Sequence, residues 1–208
     1  MNLEKLFQMQ DVLDERIVKD KGLEGQDLLD KKILALQVEL GELANEQRTW
    51  KFWSEDQEPR VSSDEKCWDC DGRGVHLDRG AMSFWECETC DGFGKIRSQK
   101  NPLLEEYVDC LHFILSIGLE LQFGDYPLIG NAPETRTVTH MFLITFEAIS
   151  NFYKVWQLGN ESLIEVKYTI VFNCFLTLGE MLGFTWEQVE QAYIEKNEIN
   201  HQRQEAGY

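Results

Sequence analysis

Between Leu3 and about Lys19 the apolar residues Leu3, Leu6, Phe7, Met9, Leu13, Ile17 and Val18 recur at helical spacing, and Gly22 and Gly25 then interrupt the pattern. That period predicts a first amphipathic helix. A second is predicted from near Asp27 to about Trp53, with Ile33, Leu36, Leu40, Leu43 and Ala44 on one stripe and Glu39, Glu42 and Glu46 on another. From Ser54 to about Asn101 the chain turns polar and glycine-rich, and no helical period survives. This stretch reads as an inserted element. Helical spacing returns after Pro102, a favourable first helical residue, and from Leu103 to about Phe123 the chain is nearly apolar all round once past Asp109. Such a helix belongs in the middle of a bundle. Gly124 through Pro133 reads as a loop, followed by helices from about Glu134 to Leu158, from about Leu163 to Leu182, and from Thr185 or Trp186 onward. Gly159-Asn160 and Gly183 mark the breaks, and Thr185 with Gln188 resembles a capping box. The predicted fold class is an all-α helical bundle, residues 1–53 and 102–208, with any β structure confined to the insertion 54–101.

Charge narrows the partners. The 208 residues carry 20 Lys and Arg against 37 Asp and Glu, a net charge of −17. A surface this acidic repels phosphate backbones and anionic lipid, so neither polymeric nucleic acid nor a membrane is an expected partner. Small phosphates remain open if metal ions mediate. No basic start leads into an apolar run, and no window approaches ~18 uninterrupted apolar residues, so neither a signal peptide nor a spanning helix is expected. The expected location is cytoplasmic. Four of the six cysteines, Cys67, Cys70, Cys87 and Cys90, form two C-x-x-C pairs, whereas Cys110 and Cys174 lie in apolar runs and read as packing residues. In a reducing compartment paired C-x-x-C spacing points to metal rather than disulfides.

Three constellations carry chemistry. Glu39-x-x-Glu42 and Glu106-x-x-Asp109 each place two carboxylates on one helical face. Two such pairs on facing helices make an oxygen-rich nest suited to magnesium. A lone E-x-x-E is more often a solvated face. Here, however, Val38 and Leu43 flank the glutamate stripe and Asp109 runs directly into Cys110-Leu-His-Phe-Ile-Leu. A carboxylate at the mouth of a buried helix is costly to desolvate unless it is paired or metal-bound. The second constellation is the C-terminal stretch, where Lys196, Asn200 and Arg203 fall at helical spacing and could line one face toward an anion, although composition alone fits a frayed terminal helix. The third comprises Cys67-Trp-Asp-Cys70-Asp-Gly-Arg-Gly74 and Cys87-Glu-Thr-Cys90-Asp-Gly-Phe-Gly94, with sixteen residues between Cys70 and Cys87, the spacing of a four-cysteine structural Zn²⁺ site with no open ligand position. The duplicated C-x-x-C-x-G-x-G resembles the zinc repeats of J-protein co-chaperones.

Taken together the motifs resemble the dimeric all-α dUTPases of the all-α NTP pyrophosphatase group. The matching pieces are Leu6-Phe7-Gln-Met-Gln10, Glu39-x-x-Glu42 leading into Lys51-Phe52-Trp53, Glu106-x-x-Asp109 followed by Leu111-His112-Phe113, and Lys196-Asn197-x-x-Asn200-x-x-Arg203-Gln204-x-x-Gly207-Tyr208. The resemblance implies a helical homodimer that uses Mg²⁺ to hydrolyse dUTP, and dUDP, to dUMP. Carried across by residue, Glu39, Glu42, Glu106 and Asp109 would hold the ions, with Glu39 or Glu42 as general base. Lys196 and Arg203 would neutralise the leaving phosphates. Gln10 and Trp53 would meet the uracil, with Lys51 beside them and Trp50 competing for the stacking role. Asn197, Asn200 and Tyr208 would contact sugar or phosphate. His112 reads as a supporting or core histidine ahead of a ligand. The zinc element would rigidify the connection between the metal-bearing helices or present a surface to a regulatory protein partner. Two rival functions are a pyrophosphatase for another NTP and a non-enzymatic zinc-knuckle binding module.

Overall fold

Two compact units emerge from the chain in a computed structural model, which describes residues 2–78, 80, 83–98, 100–122, 135 and 137–207. The helical unit comprises residues up to Pro59 and from Leu103 onward, and the second unit is Arg60–Pro102. The helices are α1 (Leu3–Lys21), α2 (Leu29–Gln47), α3 (Pro102–Glu120), α4 (Val138–Gln157), α5 (Glu161–Met181) and α6 (Trp186–Glu205). The predicted loop at Gly124–Pro133 lies outside the described residues. Among the described residues strands occur only between α2 and α3, so the all-α reading of the body holds.

Local chemistry sets the helix ends. Asn2, Thr137 and Asn160 cap α1, α4 and α5 by accepting backbone N–H groups, and Gly22 ends α1 in the left-handed conformation. The Thr185–Gln188 capping box is present: the Thr185 N–H donates to Gln188 Oε1 at 2.9 Å and the Gln188 N–H to Thr185 Oγ1 at 3.3 Å. One boundary differs from the sequence reading, for α2 stops at Gln47 rather than near Trp53. Arg48 is left-handed at φ 64°, its guanidinium donates to the Asp56 carbonyl at 2.8 Å, and the Trp50 indole N–H donates back to the Ala44 carbonyl at 2.8 Å. These bonds turn residues 48–56 back on the helix end, an alternative that apolar spacing alone does not reveal.

The bundle core is built around α3, where Leu103, Tyr107, Cys110, Leu111, Ile114, Leu115 and Ile117 are buried. Tyr107 stacks on Phe175 with ring centroids 4.2 Å apart and donates its hydroxyl to the Phe175 carbonyl, while the Tyr168 hydroxyl donates to the Ile114 carbonyl at 3.0 Å. Burial of each such aromatic or leucine side chain contributes about 1.5–3 kcal/mol, and the two hydroxyls enter the core already paired. Helix α5 has a mean hydropathy of 1.2, long and apolar enough for a membrane span, but Tyr168, Phe172, Phe175 and Leu178 on it are buried in this core.

In the second unit β1 (Asp64–Lys66) pairs antiparallel with β4 (Lys95–Arg97), and β2 (Val75–Asp78) with β3 (Ser83–Glu86). Each C-x-x-C knuckle leads into a strand, and the two knuckles exchange backbone bonds: the Cys67 N–H donates to the Gly94 carbonyl and the Cys87 N–H to the Gly74 carbonyl, both at 2.9 Å. Gly74 and Gly94 have φ of 73° and 71°. A Cβ on Gly74 would collide with the Gly92 carbonyl oxygen, and one on Gly94 with that of Gly72. Only glycine permits this mutual approach.

Candidate active site

One face of α3 carries polar groups because the apolar stripe is interrupted at Glu106, Asp109, His112 and Ser116, a run of three- and four-residue steps that puts them along one line of the helix. Helix α2 contributes Glu39 to the same place. One carboxylate oxygen from each of Glu39, Glu106 and Asp109 lies within 4.8 Å of the other two. Glu42 is one turn beyond Glu39 and stands outside that set, although its charge acts on both glutamates.

Burial and the crowding of like charges both disfavour the ionised carboxylates here. Burial, followed by the Asp109 and Glu42 charges, pushes Glu39 up to about 7. Burial, Asp109, Glu42 and Glu39 do the same to Glu106, also to about 7. Asp109 is raised by burial against the opposing pull of Lys196. That lysine, on α6, donates to Asp109 Oδ2 at 2.6 Å and to Glu105 Oε1 at 2.9 Å. Burial would lower the Lys196 pKa, but the bonds to Asp109 and Glu105 outweigh it and raise it. The chemistry of this donor set, oxygen only and over-supplied with negative charge, fits a hard divalent cation.

Beside the carboxylates lies a cavity of about 410 Å³, walled by residues of α1, α2, α3 and α6 that include Gln10, Asp14, Glu39, Asp109, His112 and Arg203. The Gln10 amide is held on both sides. Its Nε2 donates to Asp14 Oδ1 at 2.7 Å, and its Oε1 accepts from the Tyr193 hydroxyl at 2.7 Å and faces His112 Nδ1 at 2.7 Å. Asp14 also accepts from the Ser116 hydroxyl and lies 3.5 Å from Lys32 Nζ. His112 stacks on Tyr193, with ring centroids 4.2 Å apart, and burial drives its pKa down to about 3, so the imidazole is neutral.

The remaining sequence-predicted residues are placed as follows. Asn200 and Arg203 border the cavity, 3.4 Å apart between Arg203 Nη1 and Asn200 Oδ1. Asn197 is buried, with its Nδ2 unpaired. Trp53 is 64% exposed and meets Trp50 and Phe52 edge-to-face at 5.3 and 5.0 Å, and Lys51 Nζ sits 5.5 Å from the Trp50 ring; this aromatic group is not part of the cavity wall. Tyr208 lies outside the described residues. Sequence reasoning passed over Glu105 and Asp14. Glu105 was legible as the residue four before Asp109, whereas Asp14 becomes visible only when α1 and α3 are packed together.

In the second unit the Sγ atoms of Cys67, Cys70, Cys87 and Cys90 all lie within 4.8 Å of one another. The Cys67–Cys87 and Cys70–Cys90 separations are 3.9 and 3.7 Å. Tetrahedral thiolates about 2.3 Å from zinc stand about 3.8 Å apart, so the cluster fits that ion. The Gly74 and Gly94 N–H groups donate to Cys70 and Cys90 Sγ at 3.2 and 3.1 Å, bonds that favour the thiolate form a metal requires.

No curated protein matches the chain at the significance required. The family model described as dUTPase, however, matches residues 2–67 and 94–208. Its one break removes most of the cysteine element and nothing of the carboxylate helices or the cavity. Both the acidic cluster and the walls of the cavity are thus drawn from matched sequence, and the chain belongs to the dUTPase family.

Proposed function

We propose that this dUTP diphosphatase requires magnesium, accepts dUDP as well as dUTP, and yields dUMP, with Glu39, Glu42, Glu106 and Asp109 holding the cation. The observation that carries the reading is the approach of Glu39, Glu106 and Asp109 within 4.8 Å at the edge of a cavity whose other wall holds Arg203 and Asn200. Magnesium bound there would neutralise phosphate charge and orient the polyphosphate for attack by water.

The chain's own groups divide the remaining work. Glu39 or Glu42 would orient the attacking water and accept its proton as general base. Lys196, already beside Asp109, and Arg203 on the same helix face would meet the charge that develops on the leaving phosphate. Asn197 and Asn200 would contact sugar or phosphate, as would Tyr208. Uracil would lie against the Gln10 wall, with Trp53 closing on its face and Lys51 beside it. The zinc element is read as structural, a clamp on the connection between α2 and α3, and no group in it is needed for the chemistry. We place the working enzyme in the cytoplasm as a homodimer.

Glu39→Gln and Asp109→Asn test this assignment. Each should lower turnover by about 10²–10⁴-fold while the helical circular dichroism persists. An active Asp109→Asn protein would overturn the site.

A further inference from the structure

Lys196 is buried on α6 and divides its ammonium between two carboxylates that lie one turn apart on α3. The two are not equivalent. Asp109 is one of the three acids whose oxygens meet within 4.8 Å, so the ammonium and any divalent cation held there claim the same carboxylate. Glu105 stands outside that trio, is 46% exposed, and accepts from Lys196 Nζ at 2.9 Å. An ammonium has three hydrogens, so with two given to carboxylates one remains for a substrate oxygen. Loading the trio with a dication changes the balance at Lys196. The charge of Asp109 is then spent on the cation, the cation itself repels the ammonium, and a buried lysine cannot fall back on water at little cost. Among the described residues Glu105 is the remaining carboxylate bonded to Lys196.

We infer that Glu105 is a positioning residue, which keeps the Lys196 ammonium at the acidic cluster when the cation takes Asp109 and so holds it ready for the phosphate. This rests on the magnesium-dependent reading given above and adds to it a residue that is not a metal ligand. The order of acids along α3 makes the division of labour possible. Glu105 and Glu106 are adjacent, hence about 100° apart around the helix, which sends one to Lys196 on α6 and the other to Glu39 on α2. Without Glu105 the ammonium has Asp109 alone and competes with the cation for it. With Glu105 it keeps a carboxylate whether or not Asp109 is taken, so the cation binds against less competition.

The test is a double-mutant cycle on magnesium affinity, measured by calorimetry on the full chain without nucleotide, at about 0.15 M salt so that distant charges are screened. Glu105→Gln should weaken magnesium binding by about three- to tenfold. In a Lys196→Met background the same substitution should cost less than about twofold, because no ammonium is left to compete. An equal or larger loss in that background would make Glu105 a distant attracting charge for the cation and overturn the inference, as would unaltered affinity in Glu105→Gln itself. Lys196→Gln takes the place of Lys196→Met if circular dichroism shows the latter unfolded. Turnover gives a second readout. At saturating magnesium and dUTP, Glu105→Gln should lower kcat by about five- to fiftyfold with KM within about threefold, the split expected of a charge that acts on the leaving phosphate. A raised KM with unchanged kcat refutes the role. Parent protein that binds magnesium and hydrolyses dUTP, with variants that fail these tests, keeps the activity and loses the inference. Protein that neither binds magnesium nor hydrolyses dUTP loses both.

Discussion

The Lys196 ammonium stands 2.6 Å from the Asp109 carboxylate and ties α6 to α3 at the edge of the acidic cluster. Both side chains are largely buried, at 10% and 19% exposure, so each is the other's main compensation for leaving water. Lys196→Met should destabilise the metal-free protein by about 1–3 kcal/mol, below the cost of breaking a fully buried pair because some solvent reaches Asp109. Urea unfolding with and without magnesium checks this. The variant should regain more stability from magnesium than the parent, since the cation would supply the missing positive charge. Equal gains in the two proteins would mean that Lys196 and the cation do not share Asp109.

Glu39 and Glu106 give the protein a pH dependence with a definite sign. Each has a folded-state value near 7 against an ordinary value of 4.5. A raised acid stabilises the fold below its unfolded pKa, and that contribution is lost as pH rises through the folded value. The Tm of metal-free protein should therefore fall between about pH 4.5 and 7. Magnesium, which takes the deprotonated forms, should raise Tm more at pH 8 than at pH 5, and its binding at pH 6 should release protons measurable by calorimetry in two buffers of different ionisation enthalpy. A Tm that is flat with pH and indifferent to magnesium would contradict the crowded-carboxylate geometry.

The cysteine unit should depend on zinc independently of the chemistry. Elemental analysis should find one zinc per chain, and Cys67→Ser should lose it. Proteolysis should then cut within residues 60–102 while the helical circular dichroism of the remaining unit persists. Turnover per folded molecule should change by less than about threefold, since no zinc ligand lies among the cavity residues. Abolished turnover in folded, zinc-free protein would assign the element a direct part in the reaction.

Trp53 and Trp50 separate in a simple comparison. Trp50 spends its indole N–H on the Ala44 carbonyl, whereas Trp53 is 64% exposed. Trp53→Ala should raise KM for dUTP by about three- to tenfold, the worth of one aromatic stacking contact, with thermal stability unchanged. Trp50→Ala should act mainly on stability through the turn that ends α2. The reverse pattern would exchange their roles.

Much of this arrangement was legible in the chain because helices carry their own signature. The spacing of Leu36, Leu40 and Leu43 against Glu39 and Glu42 is enough to orient α2, and the all-round apolar α3 announces a central helix. The Thr185–Gln188 box marks the start of α6 to the residue. What stayed hidden depends on contacts between distant segments. The end of α2 is decided by Arg48 reaching Asp56, and the orientation of Gln10 by Asp14, Ser116 and Tyr193 from three helices. Glu105 shows a further limit: a helical period gives both i+3 and i+4 neighbours of Asp109, and only packing against Lys196 tells which functions they take.

The most direct measurement offers purified protein each dNTP and NTP in turn, with magnesium, and follows nucleoside monophosphate and pyrophosphate release. Rapid conversion of dUTP to dUMP and pyrophosphate is expected, with slower or no turnover of dCTP and loss of all activity when the divalent cation is chelated. Absence of turnover with every nucleotide, or turnover of dUTP undiminished by chelation, would contradict it.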